Sequence, residues 1–331
     1  MDERAETTVA DVGELKLIEL VRSRVGAPPD PEVWVGDDTA VLTPQTHPLL
    51  LTTDLLVEGI DFDTAHSSGA DVGWKALASS ASDIAAMCGR PSHAVVALGL
   101  PAATTVEWVD GFLDGLLDAA GKWGIALVGG DISAADRLSA TVSMVGRPLR
   151  SAAVLRSGAR PGDSICVTGE LGGAAAGLIA LRRALRVDEP SMSRLTQRQL
   201  RPIARVAEAA ILAEFEVSAM IDVSDGLAVD LGHLLDASEV GCSIDDRSIP
   251  ADPDISAVSG ADPMVLALTG GEDFELLFTM KGDQTRGAAD ALGAIGTRLT
   301  TIGVVTSHDR LIGREQLDDW RQRGWEHLRT P

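Results

Sequence analysis

One pattern recurs along this chain: an apolar run, then small residues, then a carboxylate. It appears as LLLTTD (49–54), IALVGGD (125–131), SAMIDVSD (218–225) and LALTGGED (266–273), while GDDTAVL (36–42) sets paired acids before another apolar run. Short apolar runs bounded by Gly, Ser and Thr read as strands. Small residues at a strand end let a ligand approach the backbone, and the acid then faces the space beyond the strand. A single acid of this kind is ordinarily a turn-former or a helix cap. Five such sites need a further reason, because carboxylates within about 4 Å repel by about 4 kcal/mol at an effective dielectric near 20. Such clusters persist where cations sit among them. Oxygen donors, with only six histidines and no paired cysteines, select magnesium or calcium over zinc.

Acidic residues outnumber basic ones 49 to 28, a formal charge of −21. Nucleic acid and anionic membranes are recognised by Lys and Arg, so neither is expected as a partner. Phosphate chemistry in such a chain needs positive charge from elsewhere, and bound metal is the expected source. The motifs GxxxxGK[ST], GxGxxG, HExxH and GxSxG are all absent. The turn VTGELGGAAAG (167–177) has the form of a phosphate cradle before a helix, and helix–sheet packing accounts for it equally well. Cys88, Cys166 and Cys242 lie far apart, which fits a reducing cytosol rather than a disulfide framework. The acidic N-terminus is not a signal peptide, and no apolar run approaches the length of a membrane span, so the expected location is cytoplasmic. Tyrosine is absent and aromatics total 3%, leaving Ala, Val, Leu and Ile to build the core.

Helical spacing marks GELKLIELVRSRV (13–25), GADVGWKALASSASDIAAMCG (69–89) and TTVEWVDGFLDGLLDAAGKWG (104–124), and strands are expected at 47–56, 92–101, 125–131 and 137–147. Basic residues, Gly and Pro cluster at RPLRSAAVLRSGARPGD (147–163), a candidate boundary. Beyond it lie a strand SICVTG, a helix, a polar insert (187–200), a helix over 203–215, a strand SAMIDV, a helix GLAVDLGHLLDA, strands CSIDD and DFELLFTM, and an αβ unit. Strands and helices interleave in both halves, so each half is an α/β or α+β layer structure. Asp83 falls inside the second helix next to Ser79 and Ser80, where an acid either faces solvent or points at a metal.

GDDTAVL, TTDLLVEGIDF, the helix end SDIAAMCGRP, LVGGD, RSGARPGD, IDVSDGLAVDLGHL and TGGEDFELLF resemble, in this order and spacing, the thiamine-monophosphate kinase family. That family lies within the ATP-binding superfamily of aminoimidazole ribonucleotide synthetase and selenophosphate synthetase. The resemblance runs from GELKLI to the C-terminal GWEHLRTP. It implies an N-terminal α/β domain (1–148) whose strands form a barrel with those of a second subunit, and a C-terminal α/β domain (149–331). ATP is then expected between the two domains. The resemblance further implies several Mg²⁺ ions on Asp38, Thr52, Thr53, Asp54, Asp83, Asp131, Asp222 and Asp225. ATP would meet Gly130, Asp131, Arg156 and Ser224, and thiamine monophosphate would meet Asp61, Glu272 and Trp325. Asp37 fits a turn residue as well as a second ligand, Arg156 equally fits an ion pair in the linker, and Trp325 equally fits a cap on the C-terminal domain.

The implied reaction is ATP-dependent phosphorylation of thiamine monophosphate to thiamine diphosphate by a homodimer, with no protein nucleophile. The alternatives are another ATP-dependent synthetase of the superfamily and a non-catalytic acidic metal-binding module. A selenophosphate synthetase would carry a reactive Cys or selenocysteine in an N-terminal glycine-rich segment, and this N-terminus has none.

Overall fold

The computed structural model describes residues 7–12, 14–27, 48–183 and 189–324. The chain divides into two compact units, one of Met1–Ile84 with Pro91–Arg147 and the other of Ala85–Arg90 with Pro148–Pro331. The division is not a single cut, since the turn after Ile84 belongs to the second unit.

The first unit runs α1 (Val9–Val12), α2 (Glu14–Val25), β1 (Leu50–Val57), α3 (Gly69–Ala86), β2 (Gly89–Leu100), α4 (Val106–Trp123), β3 (Ala126–Ala134) and β4 (Ser139–Pro148). Its sheet has the order β1-β4-β2-β3, with β1 antiparallel to β4 and β2 parallel to β3. Side chains alternate across β1. Thr52, Asp54 and Leu56 share the face that carries α3, where Thr52 and Asp54 bond to helix residues. Leu51 and Leu55 share the other face and are 72% and 55% exposed. Thr105 caps α4 by accepting the Trp108 N–H at 3.1 Å, and Gly124 ends it in the left-handed conformation at φ 68°. The core is aliphatic around Phe112, with Leu77, Ile84, Leu116, Val142 and Met144 buried.

Gly73 and Gly115 set the spacing of α3 against α4. A Cβ on Gly73 would enter the Phe112 carbonyl, and one on Gly115 would enter the Ala70 carbonyl. The two backbones therefore touch where side chains would otherwise hold them apart.

The second unit contains β5 (Ser164–Thr168), α5 (Gly173–Arg182), α6 (Glu189–Leu200), α7 (Val206–Leu212), β6 (Val217–Val223), α8 (Leu227–Ser238), β7 (Gly241–Ile244), α9 (Pro263–Thr269), β8 (Glu275–Met280), α10 (Thr285–Gly293), β9 (Leu299–Thr306), β10 (Arg310–Ile312), β11 (Glu315–Gln316) and α11 (Leu317–Arg321). Its sheet has the order β11-β10-β7-β9-β5-β8-β6, antiparallel apart from the β10–β7 pair. Ile165 and Val167 of β5 face one core with Leu231 and Leu234 of α8. Cys166 faces the other, with Leu212 of α7 and Leu292 of α10. Cover on both faces explains why SICVT and ELLFTM are apolar at nearly every position rather than at alternate ones.

Three local expectations change. LALT (266–269) is helix α9 instead of a strand, because Pro263 starts it and the Asp262 carboxylate accepts the Met264 and Val265 N–H groups. The polar insert over 187–200 contains α6, an amphipathic helix packed on α5. Strands β1 and β3 continue beyond Asp54 and Asp131, so both acids lie within strands rather than at their ends.

Two glycine substitutions in α4 should move stability in opposite directions. Gly121 has open space around its Cα, so Gly121→Ala should raise stability by about 0.5–1 kcal/mol through helix propensity. Gly115→Ala gains the same propensity but forces α3 and α4 apart, for a net loss of about 2 kcal/mol or more. Chemical denaturation of the two variants checks the sign of each.

Candidate functional site

In the first unit, Ser80 of α3 donates to Asp54 Oδ2 at 2.7 Å, and Thr52 Oγ1 donates to Asp83 Oδ2. A strand acid and a helix acid thus lie close together beneath two hydroxyls. Burial pushes the Asp54 carboxyl up to about 6, and the Asp83 charge adds to the shift against the Ser80 hydrogen bond. An all-oxygen set of this kind suits a hard divalent cation.

The second unit has a counterpart at the end of β6. Asp222 is buried within the strand, and Ser224, Asp225 and Gly226 form the turn into α8. Gly226 has no side chain with which to cap the helix. Asp230 reaches back instead, its Oδ2 accepting the N–H groups of Ser224, Asp225 and Gly226 at 3.0, 3.1 and 3.1 Å. Burial raises the Asp230 carboxyl well above its ordinary range, and the charges of Asp222 and Asp225 push the same way.

Segment 270–274 runs alongside this turn. Glu272 N donates to Ser224 O at 2.8 Å and Phe274 N to Val223 O at 2.9 Å. Gln199 Nε2 of α6 donates to Glu272 Oε2 at 2.7 Å. Asp273 accepts the Gly172 and Ala174 N–H groups at 2.6 and 3.2 Å. The glycine turn before α5 is therefore filled by a carboxylate of the chain itself, and the phosphate-cradle reading of VTGELGGAAAG gives way to helix capping. Burial pushes the Asp273 carboxyl up to about 7 despite these two bonds. Glu275 is paired bidentately with Arg205 and also accepts from Thr168 Oγ1 at 2.7 Å.

With this geometry in place, comparison with known proteins identifies the frame. The AIR synthase related protein N-terminal domain matches residues 36–147, and the corresponding C-terminal domain matches 160–315. The thiamine-monophosphate kinase of Escherichia coli K12 is 39% identical over 329 residues, 96% of this chain and 99% of that protein. The chain belongs to the AIR synthase related family, in its thiamine-monophosphate kinase branch. The crystal structure of thiamine-monophosphate kinase from Stenotrophomonas maltophilia K279a matches with a TM-score of 0.81 at 35% identity, over 89% of this chain and 94% of that one. The structure of AaThiL complexed with AMPPCP and TMP matches with a TM-score of 0.77 at 33% identity, over 96% and 98%.

Not every residue expected at the kinase site converges. Thr53 points to the opposite face of β1 from Asp54 and bonds to Ser143 Oγ at 3.0 Å. Asp131 is exposed on β3, with β4 and β2 between it and β1, an offset of about 14 Å at the usual strand spacing. Gly130 lies against the Val96 carbonyl, where a Cβ has no room. The Asp61 carboxylate accepts the Val57 N–H at 2.8 Å and closes the turn after β1. Arg156 is exposed and pairs with no acid among the described residues, and its carbonyl accepts from Ser238 Oγ at 3.0 Å. Asp38 and Trp325 lie outside the described residues. Among the described residues no three acids, histidines or cysteines converge on one point. Magnesium is commonly held by one or two carboxylates and completed by substrate phosphates, so the pairs seen here fit that mode. The sequence alone does not single out Asp230 or Gln199. Asp230 was marked only by a second acid five positions after Asp225, and nothing marked Gln199.

Asp54 makes metal-free stability depend on pH. Its carboxyl titrates near 6 when folded and near 3.8 unfolded, so the folded state binds more protons between these values. The contribution is fully present below the unfolded value and is lost as pH rises through about 6. Metal-free protein should therefore lose stability from pH 5 to pH 7, and Asp54→Asn should lose less. Asp273 contributes with the same sign in both proteins, so the slope should shrink without vanishing. Urea unfolding of both proteins at the two pH values measures it.

Proposed function

We propose that this chain transfers the γ-phosphoryl group of ATP to thiamine monophosphate, giving thiamine diphosphate and ADP. The observation that carries the reading is the match, over nearly the whole of both chains, to a kinase structure complexed with AMPPCP, an ATP analogue, and TMP. Acceptor and donor are both phosphates. The attacking oxygen is already ionised at neutral pH, so no side chain has to act as general base, and positioning with charge neutralisation supplies the catalysis. The all-oxygen donors and the raised Asp54 carboxyl fit magnesium. Asp54 and Asp83, with Thr52, would hold it in the first unit, and Asp222 and Asp225 in the second. Asp38 joins this set by its motif, whereas Thr53 and Asp131 are placed apart from the Asp54–Asp83 pair. Bound Mg²⁺ would offset the charge of the phosphates.

The chain's own groups do the rest. Asp230 fixes the Ser224–Gly226 backbone, and Arg156 offers a guanidinium to a phosphate. Glu272, with Asp61 and Trp325 assigned by motif, meets the thiamine moiety, where a carboxylate complements the thiazolium cation and an indole stacks on it. We place the protein in the cytoplasm. Among the described residues no helix is long and apolar enough to cross a membrane.

Assayed with ATP, Mg²⁺ and thiamine monophosphate, the protein should form thiamine diphosphate, and EDTA should abolish turnover. Asp83→Asn and Asp222→Asn should each lower kcat by about 100-fold while the fold persists. Product from free thiamine but none from the monophosphate would overturn the reading.

The exposed face of β1 supports a homodimer. Leu49, Leu51, Leu55 and Val95 of the first unit are all exposed, and Leu51 and Leu55 share one strand face. A second copy would cover such a patch. Light scattering should give about twice the 34.5 kDa chain mass, and Leu51→Glu with Leu55→Glu should reduce it to one chain.

A further inference from the structure

Two non-glycine residues in segment 270–274 adopt left-handed backbone, Glu272 at φ 68° and Phe274 at φ 51°. Such residues persist only where the surroundings over-determine them. Here the surroundings are the bonds from Glu272 and Phe274 to the end of β6, and Asp273 on the N-terminus of α5. These bonds fix the backbone, and the Glu272 side chain is met by Gln199. Gln199, the next-to-last residue of α6, is 5% exposed and donates to Glu272 Oε2 at 2.7 Å.

The other end of the same amide is anomalous. Gln199 Oε1 is buried with no hydrogen-bond partner. An ionised carboxylate only accepts, so the amide nitrogen must face Glu272 and the oxygen must face inward. Reversing the amide would set two acceptors against each other. A methionine would fill the same space and remove the unsatisfied oxygen, so the glutamine is not the best residue here for stability. Its N–H toward Glu272 is what a methionine lacks.

We propose that Gln199 is a positioning residue for substrate recognition: it holds the Glu272 carboxylate in the orientation that meets the cationic thiamine moiety. The inference rests on the reading of Glu272 as a substrate contact, with Gln199 acting only through that carboxylate.

The test compares Gln199→Met, Glu272→Gln and the double variant with wild type. KM for thiamine monophosphate and for ATP is measured alongside kcat and melting temperature. Gln199→Met should melt at the same temperature or higher, yet raise KM for thiamine monophosphate by about tenfold with KM for ATP unchanged. The double variant should be no worse than Glu272→Gln alone, because Gln199 acts through that carboxylate. Gln199→Glu sets a second carboxylate against Glu272 and should raise this KM further than Gln199→Met does. If a variant turns over too slowly, calorimetric titration with thiamine monophosphate supplies the same comparison. A raised KM in Glu272→Gln with an unchanged one in Gln199→Met would overturn the role of Gln199 alone. Unchanged KM in both would overturn the reading of Glu272, and with it this inference. A lowered melting temperature in Gln199→Met with unmoved KM would make Gln199 a packing residue.

Discussion

A carboxylate taken out of water needs donors or an opposite charge, and both units are organised by how that need is met. Asp273 receives two backbone N–H groups, Asp230 receives three, and Glu275 receives a guanidinium and a hydroxyl. These acids are answered by the chain, and they tie elements together as they are answered. Asp54 is different in kind. Burial raises its carboxyl as it raises those of Asp230 and Asp273, and Asp83 adds to the shift, but one hydroxyl answers it where two or three backbone N–H groups answer the others. A fold selected for stability alone would place an amide there. The acids that build the second unit and the acid proposed to meet a cation in the first are thus distinguished by the number of donors that answer them.

The same logic explains the segment after α9. Glu272, Asp273 and Glu275 are nearly consecutive, yet each is directed to a different element: α6 through Gln199, the start of α5, and Arg205 with Thr168. Like charges along one stretch of chain are separated in space by giving each its own donor. The left-handed backbone at Glu272 and Phe274 is the conformational cost of turning neighbouring side chains in such different directions. The segment is thereby tied beside Ser224 and Asp225, to the start of α5 and to α6.

Much of this was legible in the sequence where local chemistry decides it. Helix α3 and helix α4 follow from apolar spacing, small residues and the Thr105 and Gly124 caps. Strand β8 follows from its unbroken apolar run. The segment LALT was not legible as a helix from its apolar run, because a short apolar run fits either element and only the Asp-Pro pair before it decides. Asp54 was found by its motif, but the alternation that turns Thr53 away from it depends on which face α3 covers, a tertiary fact. Gln199 was invisible for a related reason. Its meaning lies in a carboxylate 73 positions away, and an unpaired amide oxygen leaves no trace in a sequence.

An excess of 21 negative charges stands at odds with a pair of phosphorylated substrates. The conflict dissolves once the sign of the transferred group is considered. A site lined with Lys and Arg would bind both phosphates before and after transfer about equally, which lowers KM without raising kcat. Carboxylates bind phosphate only in company with cations, and the same acids repel it when the cations are absent. With the proposed Mg²⁺, affinity for the nucleotide would be tied to the ions that also neutralise the reacting phosphates, and the chain would have little binding energy for a substrate that arrives without them. The organic half of the acceptor carries a positive charge, and Glu272, in the role proposed for it, would attract it directly. On the proposed function, acidity would act on the two ends of thiamine monophosphate with opposite sign, repelling its bare phosphate and attracting its thiazolium, and so would favour one orientation of the acceptor.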